Sequence, residues 1–562
     1  MFSILKSHKD LPPPLPAQGR PMIARNNLGE QYAFSPTVRR LTLAFAWILL
    51  SVPIFLITVL PSVDFPNHLA RVYLLAHWGQ LSGAGYNAFY QPHWAILPNL
   101  ALDLIIIPLA KVLPTFLAGQ IFVALSIGIT IYGGARLNKA IGGYWSLWCL
   151  APALLVYNRI FTYGFFNFVF GIGLMALALA VHIERRNAKP WSRLWPAILF
   201  CLGLFACHLM ALAMFAVAAG GYALGRDLVG KKSWRKFALD IGLLFAQLLL
   251  PLLLLLMGSP TAGEATTMDF RDMSGKLHLL DTVFQTGQNN WDKVFAIVVL
   301  LVFIVLWGTK QIKFEKRMVW PLGLVSFVFL IAPYGFKDAF NVDTRLPLVV
   351  AIVAFVSFVP TSKRAAMLGG LIVCALLGFR AVTTGMHYAA WQKNISQAQA
   401  DLRLVPAGSM LFQTRNVDSR AFDADGWDPP AIGLDCLLLF DRPVFISNFF
   451  TIPTQQPLVR TNAYDNLEPP LRVGAEAAPT LASYAGQIDH VTDLRNLHAP
   501  QYVWYLKAPG PLEVPPSMKA LVIRKRYALL ELLPDATEVA QGPFVTSREM
   551  KKPMLHAGPR RA

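Results

Sequence analysis

Blocks of about twenty apolar residues recur along most of this chain, and they restrict it to one class of fold. The runs 41–60 (LTLAFAWILLSVPIFLITVL), 236–257 and 365–385 each reach the length at which an α-helix crosses the hydrocarbon core of a bilayer. Inside lipid every backbone polar group must be satisfied within the protein, which a helix does by itself. Hydrophobic residues make up 55% of the 562 positions, well above a soluble domain. The chain therefore reads as a polytopic α-helical membrane protein. Its first block is no cleaved leader, because it lies behind Pro-rich and basic sequence (LPPPLPAQGRP), is too long, and lacks a small-residue cleavage pattern after it.

The formal charge of +18 raises the question of a nucleic-acid partner, but its distribution answers it. Lys and Arg sit between the apolar blocks in alternate loops: Arg39/Arg40, Arg136/Lys139, Arg185 to Arg193, Lys231 to Lys236, Lys310 to Arg317 and Lys363/Arg364. Loops retained in the cytoplasm carry such an excess, so the charge needs no nucleic acid. Four of the five cysteines, Cys149, Cys201, Cys207 and Cys374, lie in apolar blocks, and only Cys436 lies in the polar C-terminal region. That pattern offers neither a disulfide framework nor a CxxC metal site.

With the N-terminus cytoplasmic, about eleven spans keep every basic cluster inside. They fall near 41–61, 115–135, 143–157, 161–183, 194–207, 209–225, 236–257, 292–309, 318–334, 344–361 and 365–385. The apolar stretch 97–113 is expected to dip or lie at the outer surface. The expected organisation is a Pro-rich and basic tail (1–40), a membrane domain (41–385) with external loops at 62–96 and 258–291, a C-terminal α/β domain (386–540) and a basic tail (541–562). The C-terminal domain opens with an amphipathic stretch, 386–404, followed by short β-like runs punctuated by Pro, Gly and Asp. An odd number of spans places it outside, on the periplasmic face of a bacterial inner membrane.

The first external segment, PSVDFPNHLARVYLLAHW (61–78), sets Asp64, His68 and Arg71 on one helical face. Pro66 suits the first turn of a helix beginning at Asp64. Leu69, Val72, Tyr73 and Ala76 form an apolar stripe, so the helix is expected to lie on the membrane surface. Read structurally, Asp64 is an acid at a helix N-terminus and Arg71 an interfacial arginine. Read chemically, they belong to a site. The same outer face is expected to carry Asp103, Arg159, His208, Glu264, Asp269, Arg271, Lys337 and Asp338, and the Asp343-Thr344-Arg345 run, and ionisable groups at apolar helix ends are costly unless used. As structure, Asp343 caps a helix and pairs with Arg345. As chemistry, Arg345 clamps a phosphate with its planar fork. His208 is either a helix-end histidine satisfied by a carbonyl or a part of the site. The glycines of YNRIFTYGFFNFVFGIGLMAL (157–177) suit close helix packing. No HExxH, Walker A, GxSxG or dinucleotide glycine pattern is present. Acid pairs on the outer side are compatible with Mg or Mn as well as with solvation alone.

An outer-surface carboxylate in the first external loop, arginines suited to phosphate and a terminal extracytoplasmic α/β domain resemble the GT-C superfamily of integral-membrane glycosyltransferases. The resemblance is one of layout over most of the chain. Its local match is Asp64, where that superfamily carries a catalytic acid. Many members show a paired acid there, whereas this sequence reads Asp64-Phe65-Pro66-Asn67, and Asp103 is the candidate second carboxylate. The resemblance implies a sugar donor on a polyprenyl phosphate, membrane lipid around it, and inverting hexosyl or pentosyl transfer to a periplasmic glycan, lipid or protein. It also implies Asp64 as general base, His68 as its orienting or proton-carrying neighbour, and Arg345 with Arg71 or Arg159 on the donor phosphate. The rival readings are a transporter or flippase of lipid-linked saccharides, a non-catalytic subunit of a polysaccharide assembly system, and transfer of another group such as phosphoethanolamine.

Overall fold

The structure, a computed structural model, describes residues 35–227, 233–258, 268–288, 290–336, 341–415, 430–464, 481, 499–507 and 509–533. Glu264, Lys337 and Asp338, most of the N-terminal tail and all of the C-terminal tail lie outside the described residues. Among the described residues, eight helices are long and apolar enough to cross a membrane: Pro36–Phe55 (α1), Thr115–Gly142, Phe166–Glu184, Pro190–Cys207, Leu209–Asp227, Trp234–Gly258, Asn290–Gly308 and Lys363–Leu402. The protein is a polytopic helical membrane protein, as its apolar blocks require.

Three expected spans are shorter than a regular crossing. Val319–Ile331 has 13 residues and Val342–Ser357 has 16, or about 20 and 24 Å of helix. The third, expected at 143–157, is a 3-10 helix over Leu147–Leu155. Pro152 at its centre cannot donate to the helical ladder, and the tighter winding gives more rise per residue. Its residues from Trp148 to Leu155 are buried, so this irregular segment never meets lipid. Glycines on neighbouring helices make room: a Cβ on Gly134 would lie 2.8 Å from Pro152, and one on Gly369 2.8 Å from Trp148.

The amphipathic stretch 386–404 is not a separate element. Lys363–Leu402 is one helix of 40 residues, about 60 Å long, which carries the last span onward into the C-terminal domain. Its far half is fastened to the chain just after α1, where Trp391 Nε1 donates to Val59 O (3.0 Å) and Gln392 Oε1 accepts from Thr58 N (2.8 Å). In the C-terminal domain, Met410–Arg415 (β1), Phe445–Ile446 (β2), Gln501–Leu506 (β3), Met518–Ile523 (β4) and Tyr527–Leu532 (β5) form one sheet in the order β4-β5-β3-β1-β2. β1 runs parallel to both its neighbours and the remaining pairs are antiparallel. Asp401 accepts from Arg524 and from the Tyr527 hydroxyl, which locks the end of the long helix to the sheet.

The basic residues gather at one end of the bundle, with Arg136 and Lys139 paired to Glu184 and with Arg193 and Arg226 sharing Asp240. Asp64 and the segment Asn158–Gly164 lie at the other. Here Phe65–Ala76 (α2) starts, with Asp64 as its N-cap residue and Pro66 in its first turn. It is no open surface helix. Phe65, Asn67, Leu69, Ala70, Arg71, Val72 and Leu74 are all buried, because the 3-10 helix Pro430–Phe440 of the C-terminal domain packs over it. Tyr73 stacks on Phe440 with ring centroids 4.7 Å apart. The rest of the first loop threads into the same domain, Tyr90–Pro92 pairing antiparallel with Leu458–Arg460 and Tyr90 Oη accepting from Ile446 N (2.9 Å).

The turn that presents Asp64 depends on one glycine. Val63 N and Asp64 N donate to Thr162 O (3.1 Å) and Tyr163 O (3.0 Å), so the two segments run in backbone contact. Gly164 follows at φ +83°, and a Cβ there would lie 2.5 Å from Ser62 Oγ, 2.9 Å from Phe65 N and 3.0 Å from Asp64 N. Both the left-handed backbone and the contact require glycine. Gly164→Ala is expected to cost about 1–3 kcal/mol and to lower the melting temperature in detergent, whereas Gly79→Ala, with open space around its Cβ, leaves it unchanged.

Candidate functional site

Asp64 occupies the N-cap position of α2, yet its side chain makes no capping hydrogen bond. Its carboxyl is half-buried and turned to other use. Burial raises its pKa to about 7 against the pull of the Arg345 and Arg71 guanidiniums. A carboxyl poised there is part ionised near neutrality and can exchange a proton. One turn on, His68 lies edge-on to Phe450 (5.7 Å between centroids). Burial and then Arg71 lower its pKa well below the usual range, so it is a neutral imidazole, and its Nδ1 has no hydrogen-bond partner.

Arg345 enters the same space from the first turn of Val342–Ser357. Its guanidinium lies over the Phe165 ring at 4.2 Å. Nε is buried without a hydrogen-bond partner, and the side chain forms no ion pair among the described residues. Asp343 is not its partner. That carboxylate is fully buried and is neutralised by Arg271 (3.2 Å) and Lys276 (3.8 Å) instead. The reason is helical geometry: positions two apart point to different sides, so Asp343 and Arg345 face different neighbours. The positive charge of Arg345 is thereby left for Asp64 and for whatever else enters.

Asp103 and Arg71 take a different role from the one their sequence positions suggested. Arg71 donates through Nε and Nη2 to the two carboxylate oxygens of Asp103, both at 2.9 Å. The side chains are 1% and 0% exposed. The structure thus gives Asp103 and Arg71 each other as partners, while Arg71 Nη1 is left buried without a hydrogen-bond partner. The helix Ala101–Ala110 that carries Asp103 is about 15 Å long, half the thickness of the hydrocarbon core. Asn167 holds its start, accepting from Leu102 N (2.7 Å) and donating to Asn99 O. The segment YGFFN (163–167) thus sets both Asp64, through Gly164, and the Arg71–Asp103 pair, through Asn167.

The remaining candidates divide. His208 makes the bend between Pro190–Cys207 and Leu209–Asp227 in extended backbone (φ −170°, ψ 129°). Its Nδ1 accepts from Met210 N (3.1 Å), an amide rather than the carbonyl partner expected, and its ring meets Phe168 edge-on at 5.2 Å. Arg345 lies within electrostatic reach of it. Arg159 is engaged by the Tyr163 hydroxyl (3.0 Å) and by Gln285 Oε1 (3.2 Å) rather than standing open for phosphate. Asp269 is exposed on a short strand, Met268–Asp269, paired with Gly335–Phe336, and Arg271 beside it covers the Tyr334 ring at 4.2 Å and serves Asp343. Among the described residues no three His, Cys, Asp or Glu side chains gather as metal ligands. Asp103 directs both of its carboxylate oxygens to Arg71.

Arg380 was not among the sequence candidates. It is buried inside the long helix, donating through Nη1 to Asp292 (2.6 Å) and through Nη2 to Tyr157 O (3.1 Å) and Phe284 O (2.6 Å). A lone arginine in an apolar run was the available signal, and its role is to tie the loop ahead of Asn290–Gly308 to the site end of the bundle.

No protein-family model matches the sequence, and no curated protein matches it. Two solved structures align along most of the chain. The arabinofuranosyltransferase AftD from Mycobacteria is 12% identical over 89% of this chain, with a TM-score of 0.42, and the chain spans 40% of its length. ArnT from Cupriavidus metallidurans, solved bound to undecaprenyl phosphate, is 13% identical over 91% of this chain and 100% of its own, with a TM-score of 0.38. Likeness at this level carries no argument about activity, which rests on the site.

Removing one member of the Arg71–Asp103 pair strands the other as a buried charge. Arg71→Met or Asp103→Leu is expected to cost about 3–5 kcal/mol, and the double variant Arg71→Met/Asp103→Leu clearly less than the sum, as read from thermal melts in nanodiscs.

Proposed function

We propose that the protein is a membrane glycosyltransferase of the GT-C kind, moving a sugar from a polyprenyl-phosphate donor to an acceptor at the end of the bundle that bears Asp64. The observation that carries this is the pairing of a half-buried carboxyl, poised at a pKa of about 7, with the arginine Arg345 that has no carboxylate of its own. In this reading the basic end faces the cytoplasm and the C-terminal domain faces the periplasm of a bacterial inner membrane.

Inverting transfer needs two things at once. As the bond between the anomeric carbon and the phosphate oxygen breaks, an acceptor hydroxyl forms the new bond and must lose its proton, which Asp64 takes as general base. The electron pair leaves with the phosphate, and Arg345 holds the charge that grows there. The Phe165 face lies against the guanidinium of Arg345. Arg71 stays bound to Asp103 and acts through its field, lowering the pKa of Asp64. His68, neutral and one turn from Asp64, has a ring nitrogen open to a hydroxyl or to the proton that Asp64 receives.

A carrier for lipid-linked saccharides would hold its charged groups near the bilayer midplane. The buried ion pairs described here instead lie near helix ends: Asp240 near the start of its helix, Asp292 likewise, and Arg380 at the level of Asp292. That distribution favours chemistry at a surface.

The test is transfer from a panel of radiolabelled polyprenyl-phosphate monosaccharides to an envelope extract, by wild type and Asp64→Asn in nanodiscs. Transfer by the wild type is expected to fall about 10²–10⁴-fold in the variant, with donor binding retained; full activity in Asp64→Asn discards the base. The pH profile is a separate check. A base must be deprotonated, so the rate should rise through about pH 7 and then level off. Because Arg345 lowers the Asp64 pKa, Arg345→Gln should move that limb to higher pH as well as weaken donor binding; a limb near pH 4 in wild type rules out Asp64 as the titrating group.

A further inference from the structure

The C-terminal domain brings a second carboxyl to this site. The 3-10 helix Pro430–Phe440 touches the residue before Asp64, for a Cβ on Gly433 would run into Val63 O and come within 3.6 Å of Pro66. Two residues further is Asp435, fully buried, and the adjacent Cys436 lies within electrostatic reach of Asp64. The next strand turn is clamped to α2 by Asn67, whose Nδ2 donates to Asn448 O (3.0 Å) and whose Oδ1 accepts from Phe450 N (2.9 Å). α2 and the segment 432–450 are thus packed side by side, with the Phe450 ring against His68.

The hydrogen-bond inventory of the segment 432–450 is unbalanced in one direction. Asp435 Oδ1 accepts from Cys436 N (3.0 Å) and from Asn448 Nδ2 (3.4 Å), but Oδ2 has no partner. Asn448 Nδ2 also donates to Ile432 O (3.2 Å) and to Gln413 Oε1, and that set of acceptors fixes the amide orientation. Its Oδ1 is left buried without a partner. Two buried atoms, both acceptors, on one short segment call for a ligand that donates twice. Among the described residues neither atom has a hydrogen-bond partner, and the further side-chain donor beside Asp435 is the thiol of Cys436, a weak one.

We propose that Asp435 and Asn448 form a binding subsite for a polyhydroxylated, neutral acceptor, taking hydrogen bonds from two of its hydroxyls and presenting a third to Asp64. The assignment rests on the glycosyltransferase reading for the role of Asp64, and it names what the C-terminal domain contributes. A hydroxyl suits Asp435 better than an ammonium does. Burial pushes this carboxyl to about 7, so near neutrality it is part protonated, and a hydroxyl serves it in either state by accepting or donating. Neither residue touches the reacting bond, so both are binding residues.

The experiment measures binding directly, apart from transfer. Purified full-length protein in nanodiscs is titrated calorimetrically with a panel of neutral hexose and pentose disaccharides and, as a comparison arm, their amino-sugar counterparts. Saturable binding of a neutral member to wild type is expected, weakened at least tenfold in Asp435→Asn and in Asn448→Leu, with melting temperatures of the isosteric Asp435→Asn and wild type within a degree or two. In transfer assays Asp435→Asn should raise KM for the acceptor at least tenfold while donor affinity and the limb near pH 7 stay put. Equal affinity in Asp435→Asn, binding of amino sugars alone, or no saturable binding by wild type overturns the subsite. Weakened binding in the variants without sugar transfer by any protein removes the glycosyltransferase reading and leaves the subsite standing.

Discussion

The arrangement at the site end depends on the buried pair of Arg71 and Asp103. A guanidinium and a carboxylate taken wholly out of water hold together only when hydrogen bonds match, and here the fork of Arg71 meets both oxygens of Asp103 at 2.9 Å. That pair fixes α2 to the short helix Ala101–Ala110, which Asn167 in turn fixes to Phe166–Glu184. With α2 held, Asp64 at its start cannot drift, and its carboxyl remains in an environment that disfavours charge. The pair also supplies a steady positive field, since the guanidinium is neutralised locally but still faces Asp64 and His68.

Around that fixed point the protein allocates its charges unequally. Asp343 receives two cations and Asp103 one, whereas Arg345 receives none. In the proposed reaction that surplus is set against the negative charge of the leaving phosphate, and the unpartnered acceptors of Asp435 and Asn448 against acceptor hydroxyls. Buried polar atoms without partners are rare in a finished fold, and His68 Nδ1, Arg345 Nε, Asp435 Oδ2 and Asn448 Oδ1 are among those of the described residues. The cap formed by Pro430–Phe440, Tyr73 on Phe440 and the strand pair Tyr90–Pro92 with Leu458–Arg460 closes the site from the side away from the bundle.

Much of the layout was readable along the chain, because a membrane span is a local property: twenty apolar residues are enough, whatever packs against them. Exceptions occurred where neighbours intervene. Pro152 and the glycines facing its segment accompany a buried 3-10 helix in place of the expected α-span, and the long helix Lys363–Leu402 ran on past its apolar part because Trp391 and Asp401 find partners further out. Asp64, His68 and Arg345 were visible as ionisable groups at odd positions in apolar sequence. Asp435 was not, because it sits among ordinary-looking domain residues whose burial against α2 has no trace in sequence spacing.

The sequence by itself determined the class of protein, the approximate place of the spans, the clustering of basic loops, and a short set of acids, imidazoles and arginines at the opposite end. These follow from hydrophobic length and charge asymmetry, which act residue by residue. Only the tertiary structure decided which charges cancel and which remain: that Asp103 serves Arg71, that Asp343 takes Arg271 and Lys276, and that Arg345 and Asp64 are left to each other. Ion pairing joins residues distant in sequence, such as Arg271 and Asp343, and its outcome turns on distances of a few ångströms that no spacing along the chain encodes.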